Sequence, residues 1–192
     1  MEKTDEELAR ACNAGDTAAF EVIFTRHKGK VFNFALRLLG SRCDAEDVTS
    51  EVFVRFFHKR YRDDGRARLT TWLFTVARNA CLSRLRLAKN RMSLWFKKNS
   101  GDDYEQWDVP DAGGSVLDAI SQREMARAVR GALHKLPLEQ KEALVLREYF
   151  QKDYAQIAQI LGCSLDKVKV LIFRGRQQLR EQLLPVIKED AS

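Results

Sequence analysis

The sequence predicts an all-α protein of two helical domains joined by a flexible acidic linker. Three observations carry this prediction. Apolar residues recur at helical spacing, strand-like alternation is absent, and only three prolines interrupt the 192 residues. Residues 97–118, by contrast, are glycine-rich, acidic and aperiodic, as linkers are. We therefore expect one domain at residues 1–96 and a second at residues 119–192.

The first helices are marked by their caps. Thr4 and Glu7 have the spacing of a capping box, which opens a short helix ending near Gly15. Asp16 is expected to cap a second helix that ends around Gly40. The apolar stripe of that helix comprises Phe20, Ile23, Phe24, Val31, Phe34, Ala35 and Leu38.

Two more helices complete the predicted first domain. Asp44 is expected to cap a helix that runs to His58, followed by a polar loop at residues 62–68. The last helix is expected at residues 69–87. The inward-facing residues of the Asp44 helix are expected to be Val48, Val52, Phe53, Phe56 and Phe57.

The second domain is predicted to end in a helix-turn-helix. Pro137 suits the first turn of a helix that runs to about Phe150. Asp153 and Gln156 form a further capping box, and Ser164 can cap the last helix, which is expected to end near Pro185.

Small residues at the predicted turn fit a close crossing of two helices. Ala158, Gly162 and Val168 have the spacing for such a contact, and Gly162 supplies the turn. A helical hairpin with a solvated basic face is the alternative. The exposed side of the last helix carries the residues we expect on duplex DNA, namely Lys167, Lys169, Val170, Phe173, Arg174, Arg176 and Gln177.

The charge distribution predicts acidic partners for both domains. Residues 1–95 contain 18 Lys and Arg against 12 Asp and Glu, and residues 119–192 contain 13 against 9. Residues 96–118 contain 2 against 6, so an acidic connector separates two basic blocks within a net charge of +6.

The sequence carries no signal for an enzyme, a cofactor or a metal site. The four cysteines and three histidines lack the spacing of zinc ligands, and no phosphate loop or nucleophile motif occurs. No apolar run approaches the roughly 20 residues of a membrane span. We therefore expect a cytoplasmic protein with free thiols, no membrane insertion and no small-molecule substrate.

The basic segment at residues 60–91 has a polar stripe suited to an unpaired base. Thr75, Asn79, Ser83 and Arg86 share one helix face, and Arg84 lies beside it. Hydroxyls and an amide next to arginines suit a base edge and its phosphates, although a solvated face explains the stripe equally well. Trp72 could stack on a base, but its apolar neighbours favour a role in the core.

The Asp44 helix shows acidic residues opposite its apolar side. Asp47, Glu51 and Arg55 follow one another at intervals of four residues. An acidic face in a basic domain suits a basic protein partner better than DNA, with a solubilising face as the alternative.

Placed together, these segments resemble the extracytoplasmic-function (ECF, group IV) sigma factors of bacterial RNA polymerase. Residues 20–24, 36–40, 44–53 and 71–79, the last reading Thr-Trp-Leu-Phe-Thr-Val-Ala-Arg-Asn, resemble region 2 of that family. Residues 136–147 and the helix-turn-helix resemble region 4. The resemblance implies a promoter-specificity subunit without catalytic activity, which directs core polymerase to promoters and helps to melt DNA.

The resemblance also implies a role for each surface. The helix at residues 44–58 matches the segment that docks on the clamp of the largest polymerase subunit, through Asp47, Ser50, Glu51 and Phe53. An anti-sigma factor is a further expected partner. The segment matching the part that captures a flipped base of the −10 element carries Arg66, Arg68, Trp72, Thr75, Val76, Asn79, Ser83, Arg84 and Arg86.

The last helix matches the reader of the duplex −35 element but departs from the family pattern. Val170 and Leu171 stand where relatives commonly have Ser and Arg, and an apolar Val170 can touch a thymine methyl but cannot read guanine. Gly175 replaces a common alanine, at an expected cost of ~1 kcal/mol in helix stability. Alternatives are a stand-alone transcriptional regulator and an interaction module that keeps the fold without promoter activity.

Overall fold

A computed structural model describes residues 3–58, 61, 68–95 and 116–189. The chain divides into two compact units, residues 1–107 and 108–192, and every described element is helical. The predicted all-α class and the two-domain organisation are confirmed. Most of the expected linker at residues 97–118 lies outside the described residues. Its last three residues, from Val116 on, belong to a helix.

The first unit is built on helices α1 (Asp5–Asn13), α2 (Thr17–Leu39), α3 (Arg42–Phe57) and α4 (Leu69–Trp95). The Thr4–Glu7 capping box and the Asp16 cap form as predicted. Gly40 closes α2 with a φ of 74°, a left-handed conformation that glycine adopts without strain. Helix α2 packs against α1, α3 and α4, and therefore forms the centre of the domain.

The predicted start of α3 and end of α4 were wrong. Ser41, not Asp44, caps α3, because its Oγ accepts a hydrogen bond from the Asp44 backbone N–H at 3.2 Å. Asp44 instead lies in the first turn, where the helix dipole favours a carboxylate. Helix α4 continues to Trp95 rather than ending at Leu87, since no proline or glycine interrupts the sequence there.

Aromatic side chains fill the contact between α2 and α3. The ring of Phe24 meets that of Phe53 edge-on, with centroids 4.9 Å apart. Phe56 packs against Tyr61 and Trp72, so Trp72 joins the aromatic core while staying half-buried. The structure thus shows a packing role for Trp72, and its contact with a base stays a prediction.

The second unit comprises α5 (Val116–Lys135), α6 (Leu138–Leu144), a π-helical turn (Val145–Tyr149), α7 (Tyr154–Leu161) and α8 (Leu165–Glu189). Pro137 takes the N-cap position of α6, one residue before the predicted first turn. Helix α8 passes through Pro185 instead of ending there.

The helix-turn-helix forms between α7 and α8 as predicted. The Asp153–Gln156 capping box closes with hydrogen bonds of 2.7 and 3.2 Å. Ser164 Oγ accepts the Lys167 backbone N–H at 3.2 Å and so caps α8. Gly162 serves the turn, with a φ of 65°, and has no neighbour within 4 Å of a notional Cβ. The expected small-residue contact between α7 and α8 is therefore not made by Gly162.

The close helix approach lies instead at Gly175. A Cβ at this position would lie 2.7 Å from Leu144 Cδ1 and 3.5 Å from Gln140 Cβ. The absence of a side chain thus lets α8 pack closely on α6. This contact corrects the expectation that Gly175 simply costs helix stability relative to alanine.

Candidate nucleic-acid interface

The polar stripe of α4 lies opposite side chains that are buried in the domain core. Leu73, Ala77 and Ala80 are buried, while Asn79 and Ser83 are exposed. Thr75 and Ser83 donate their hydroxyl groups to backbone carbonyls four residues earlier, at 2.8 and 3.0 Å. Within the described part of the chain, the Asn79 side-chain amide makes no hydrogen bond, so it remains available to a ligand.

Arginines border this stripe at several points. Arg68 and Arg86 are exposed, whereas Arg84 is partly buried and donates to Glu51 of α3 at 3.0 Å. Arg66 lies outside the described residues. Val76 is buried and belongs to the core, which corrects its assignment to a DNA-facing set. The stripe thus keeps the hydroxyls, the amide and flanking positive charge that a base and its phosphates need.

The outer face of α3 is both acidic and apolar. Asp47 and Ser50 are exposed, and Glu51 accepts from Arg55 at 2.7 Å as well as from Arg84. Phe53 is only 2 % exposed and packs inside, which corrects its expected contact with a partner. Phe57 was expected to face inward, but it is 55 % exposed.

A shallow groove of about 300 Å³ runs beside Phe57. It is lined by Phe20, Phe24, Ser50, Phe53, Val54, Phe57 and His58. Sequence reasoning missed Val54 and Phe57 as surface residues. A helical projection would have found them: Phe57 lies 180° from the buried Val48, too far around the helix for both to face the core.

In the second unit, every residue expected on duplex DNA is exposed on α8. Three of the cations are held by carboxylates of the same domain. Lys167 pairs with Glu139 at 2.8 Å, Lys169 with Asp166 at 2.9 Å and Arg176 with Glu148 at 2.6 Å. The ion pair with Glu148 raises the pKa of Arg176. Leu171 turns inward and packs in the core, so it cannot replace a base-reading residue.

Comparison with known proteins decides the family. The family model described as Sigma-70 region 2 matches residues 23–91, and the one described as Sigma-70, region 4 matches residues 126–179. The ECF RNA polymerase sigma factor SigE of Mycolicibacterium smegmatis is 30 % identical over the whole chain and 74 % of its own length. The chain belongs to the extracytoplasmic-function sigma factors.

Other relatives of this sigma factor agree over nearly full length. The ECF RNA polymerase sigma-E factor of Haemophilus influenzae is 28 % identical, over 96 % of the chain and 97 % of the relative. The fold matches the sigma factor RpoE of Bartonella quintana, solved in complex with the anti-sigma factor NepR. That match has a TM-score of 0.69 and 23 % identity, and covers 85 % of this chain and 96 % of the other.

The family membership confirms the predicted function. This sigma factor is a subunit for promoter-specific initiation of transcription, and its partners are core RNA polymerase and promoter DNA. Sigma factors are non-catalytic initiation factors, and the relatives act on the cytoplasmic polymerase. None of the helices in the described ranges has the length and hydropathy of a membrane span.

Proposed function

We propose that two adjacent helices of the first domain bind different partners of the sigma factor. The outer face of α3 binds the clamp of the largest polymerase subunit, and the polar stripe of α4 holds a flipped base of the −10 element. The observation that carries this proposal is the exposed side-chain amide of Asn79, which makes no hydrogen bond within the described residues and lies opposite the buried Leu73 and Ala77.

The α3 surface that we assign to polymerase differs from the one expected from sequence. It keeps Asp47, Ser50 and Glu51 and exchanges the buried Phe53 for Val54 and Phe57. Exposed apolar side chains beside carboxylates fit a partner helix that carries both apolar and basic residues. Such an arrangement combines burial of apolar surface with charge complementarity.

Binding energy at α4 accounts for strand opening. Extruding a base costs a few kcal/mol, and hydrogen bonds to Asn79 and the flanking hydroxyls offset that cost only after the base leaves the stack. Arg68 and Arg86 lie exposed near the stripe, where they can meet phosphates. The sigma factor itself performs no covalent chemistry, which the polymerase supplies.

The second domain is proposed to bind the −35 element through α8. Three of its cations, Lys167, Lys169 and Arg176, already have carboxylate partners that compete with DNA phosphates. The isolated protein is therefore expected to bind duplex weakly, and polymerase supplies the additional contacts. The same self-pairing disfavours a stand-alone regulator, which must bind its operator without polymerase.

An anti-sigma factor is proposed as a further partner. The support is the fold match to a sigma factor solved with its anti-sigma factor. We place the action of the complex in the cytoplasm, associated with the nucleoid when polymerase is bound. The domain limits at residues 96 and 118 remain part of this proposal.

Runoff transcription with core polymerase from the source organism tests the function. We expect promoter-dependent transcripts only when the sigma factor is present. An Asn79→Ala variant should still bind core polymerase but form fewer open complexes. Nanomolar binding to a specific duplex without polymerase would instead support a stand-alone regulator. Polymerase binding without any promoter-dependent transcript would support an interaction module.

A further inference from the structure

The centre of the outward face of α8 is apolar at Val170 and Phe173 and becomes polar at Gln177, one turn further along. At 100° per residue, Val170 and Phe173 lie one turn apart in the middle of this face, roughly opposite the buried Val168 and Ile172. Val170 is 45 % exposed and Phe173 is 70 % exposed, which makes Phe173 more exposed than any other large apolar residue that the structure describes. Both side chains therefore point away from their own domain.

Positive charge borders this apolar centre on both sides. The same projection puts Lys169 and Arg176 along one edge of the face and Lys167 and Arg174 along the other. Two of these cations are anchored from neighbouring elements, Lys167 by Glu139 of α6 and Arg176 by Glu148 of the π-helical turn. Asp166 lies on the same face, but only in the first turn, where it pairs with Lys169.

This pattern fits the major groove of DNA. A helix in that groove, about 12 Å wide, has phosphate backbones along both sides and base edges facing its centre. Cations along both edges meet the phosphates, while apolar side chains in the centre meet the thymine methyl group. Val170 and Phe173 have no side-chain donor for guanine O6 or N7, so they form no hydrogen bond that would favour a G·C pair.

We infer that Val170 and Phe173 contact thymine methyl groups and give this sigma factor a preference for T·A pairs inside its −35 element. The inference rests on the proposed function, because it assumes that α8 lies on the −35 duplex. A protein partner could also cover the two apolar residues, but two flanking rows of cations favour DNA. Buried methyl contacts of this kind are worth about fourfold in affinity each.

The test uses full-length sigma factor with core polymerase. A promoter library with a randomised −35 segment is selected by transcription, and each thymine of the selected segment is then replaced by deoxyuridine, which lacks the methyl group. We expect thymine enrichment at the contacted positions. The wild type should lose about fourfold in promoter affinity for each contacted methyl removed.

Variants connect the methyl effect to the two side chains. Val170→Ala and Phe173→Ala should each reduce the difference between thymine and deoxyuridine promoters, and the double variant should abolish it. Leu184→Ala is the matched control, because Leu184 is 41 % exposed on the same helix but about 16 Å further along. This control should keep the full methyl effect.

Three results would overturn the inference, and each has a distinct meaning. If transcription is promoter-selective but promoters with thymine and with deoxyuridine bind equally well, the methyl contact is contradicted. The proposed function is unaffected by that result. Weaker polymerase binding by Phe173→Ala, with an unchanged methyl effect in the complex that still forms, identifies Phe173 as a protein contact. Absence of any promoter-selective transcript with wild-type protein removes the proposed function and the inference together.

Discussion

Glu51 and Arg84 form an ion pair between α3 and α4, with 3.0 Å between Oε2 and Nη1. The other carboxylate oxygen of Glu51 accepts from Arg55 at 2.7 Å. One carboxylate therefore links the α3 surface proposed for polymerase to helix α4, at a point about 140° around that helix from Asn79. Because both side chains remain partly exposed, each can also reach a partner.

Neutralising Glu51 is expected to weaken polymerase binding. Glu51→Gln removes the charge while keeping the shape, and we expect core polymerase affinity to fall about tenfold, or roughly 1.4 kcal/mol. Stability should change by less than about 1 kcal/mol, since partly exposed ion pairs contribute little. Affinity is measured by titration of labelled sigma factor with core enzyme.

The matched control for this prediction is Glu46→Gln. Glu46 lies on the same helix and pairs with Arg42 at 2.8 Å, and among the described side chains it has no ion pair with α4. It should keep wild-type affinity. Equal losses in the two variants would show that overall charge, rather than the Glu51 surface, controls binding.

Removing the Asn79 amide is expected to impair DNA opening alone. In Asn79→Ala the exposed amide disappears, while the backbone carbonyl that accepts from Ser83 is retained. Open-complex formation should fall at least about tenfold, because hydrogen bonds to the flipped base are lost. It is measured by the permanganate reactivity of unpaired thymines. Affinity for core polymerase and the unfolding midpoint should stay unchanged.

Asn13→Ala is the control for Asn79→Ala, because it removes an amide that supports the fold. The amide of Asn13 donates to the Tyr61 carbonyl at 3.2 Å and so holds the end of α1 against the core. Its loss should cost about 1 kcal/mol of stability. A drop in open complexes without any drop in stability would contradict this structural role.

Gly175→Ala is expected to destabilise the second domain. Alanine improves helix propensity by about 1 kcal/mol, but its Cβ must displace the buried Leu144 side chain. Overpacking of this kind costs about 1–3 kcal/mol, so we expect a net loss of roughly 1 kcal/mol in urea unfolding.

Gly131→Ala isolates the propensity effect from the packing effect. Gly131 lies within α5 and has no neighbour within 4 Å of a notional Cβ. This substitution should stabilise the domain by up to about 1 kcal/mol. Leu144→Val in the Gly175→Ala background should recover part of the lost stability, and failure to do so would locate the strain elsewhere.

The first domain is expected to lose stability as the pH falls below about 7. Burial lowers the pKa of His27, and the charges of Lys30 and Arg26 add smaller effects in the same direction. Only the Asp5 carboxylate, whose Oδ2 lies 2.8 Å from Nε2, acts to raise this pKa. The unfolded chain therefore binds a proton near the ordinary histidine pKa of about 6.5 before the folded chain does. Stability is full above that pKa and falls as the pH decreases through it.

His27→Gln tests this pH dependence. Glutamine can still donate to Asp5 but does not titrate, so the unfolding free energy should vary less between pH 7.5 and 5.5. His134→Gln changes a histidine of the second domain whose pKa is also lowered by burial. It should leave the first-domain transition as in the wild type. An unchanged slope in His27→Gln would assign the effect to other groups.

Features that depend on residues close together in the chain follow directly from the amino-acid sequence. The caps at Thr4, Asp16, Asp153 and Ser164 form as predicted, because each involves hydrogen bonds within three residues. The helical class followed from periodicity, and the exposed face of α8 followed from its 100° repeat. The motifs at residues 71–79 and 136–147 indicated the family before any geometry was known.

Tertiary structure decided which side chains meet across long separations. Glu51 reaches Arg84 over 33 residues, Lys167 reaches Glu139 over 28, and Gly175 meets Leu144 only because two helices pack closely. It also buried Phe53 and exposed Phe57, since a core covers only part of a helix that is apolar over half its circumference. Local hydrogen bonds and periodicity fix helices, but only their packing shows which residues remain free for polymerase and DNA.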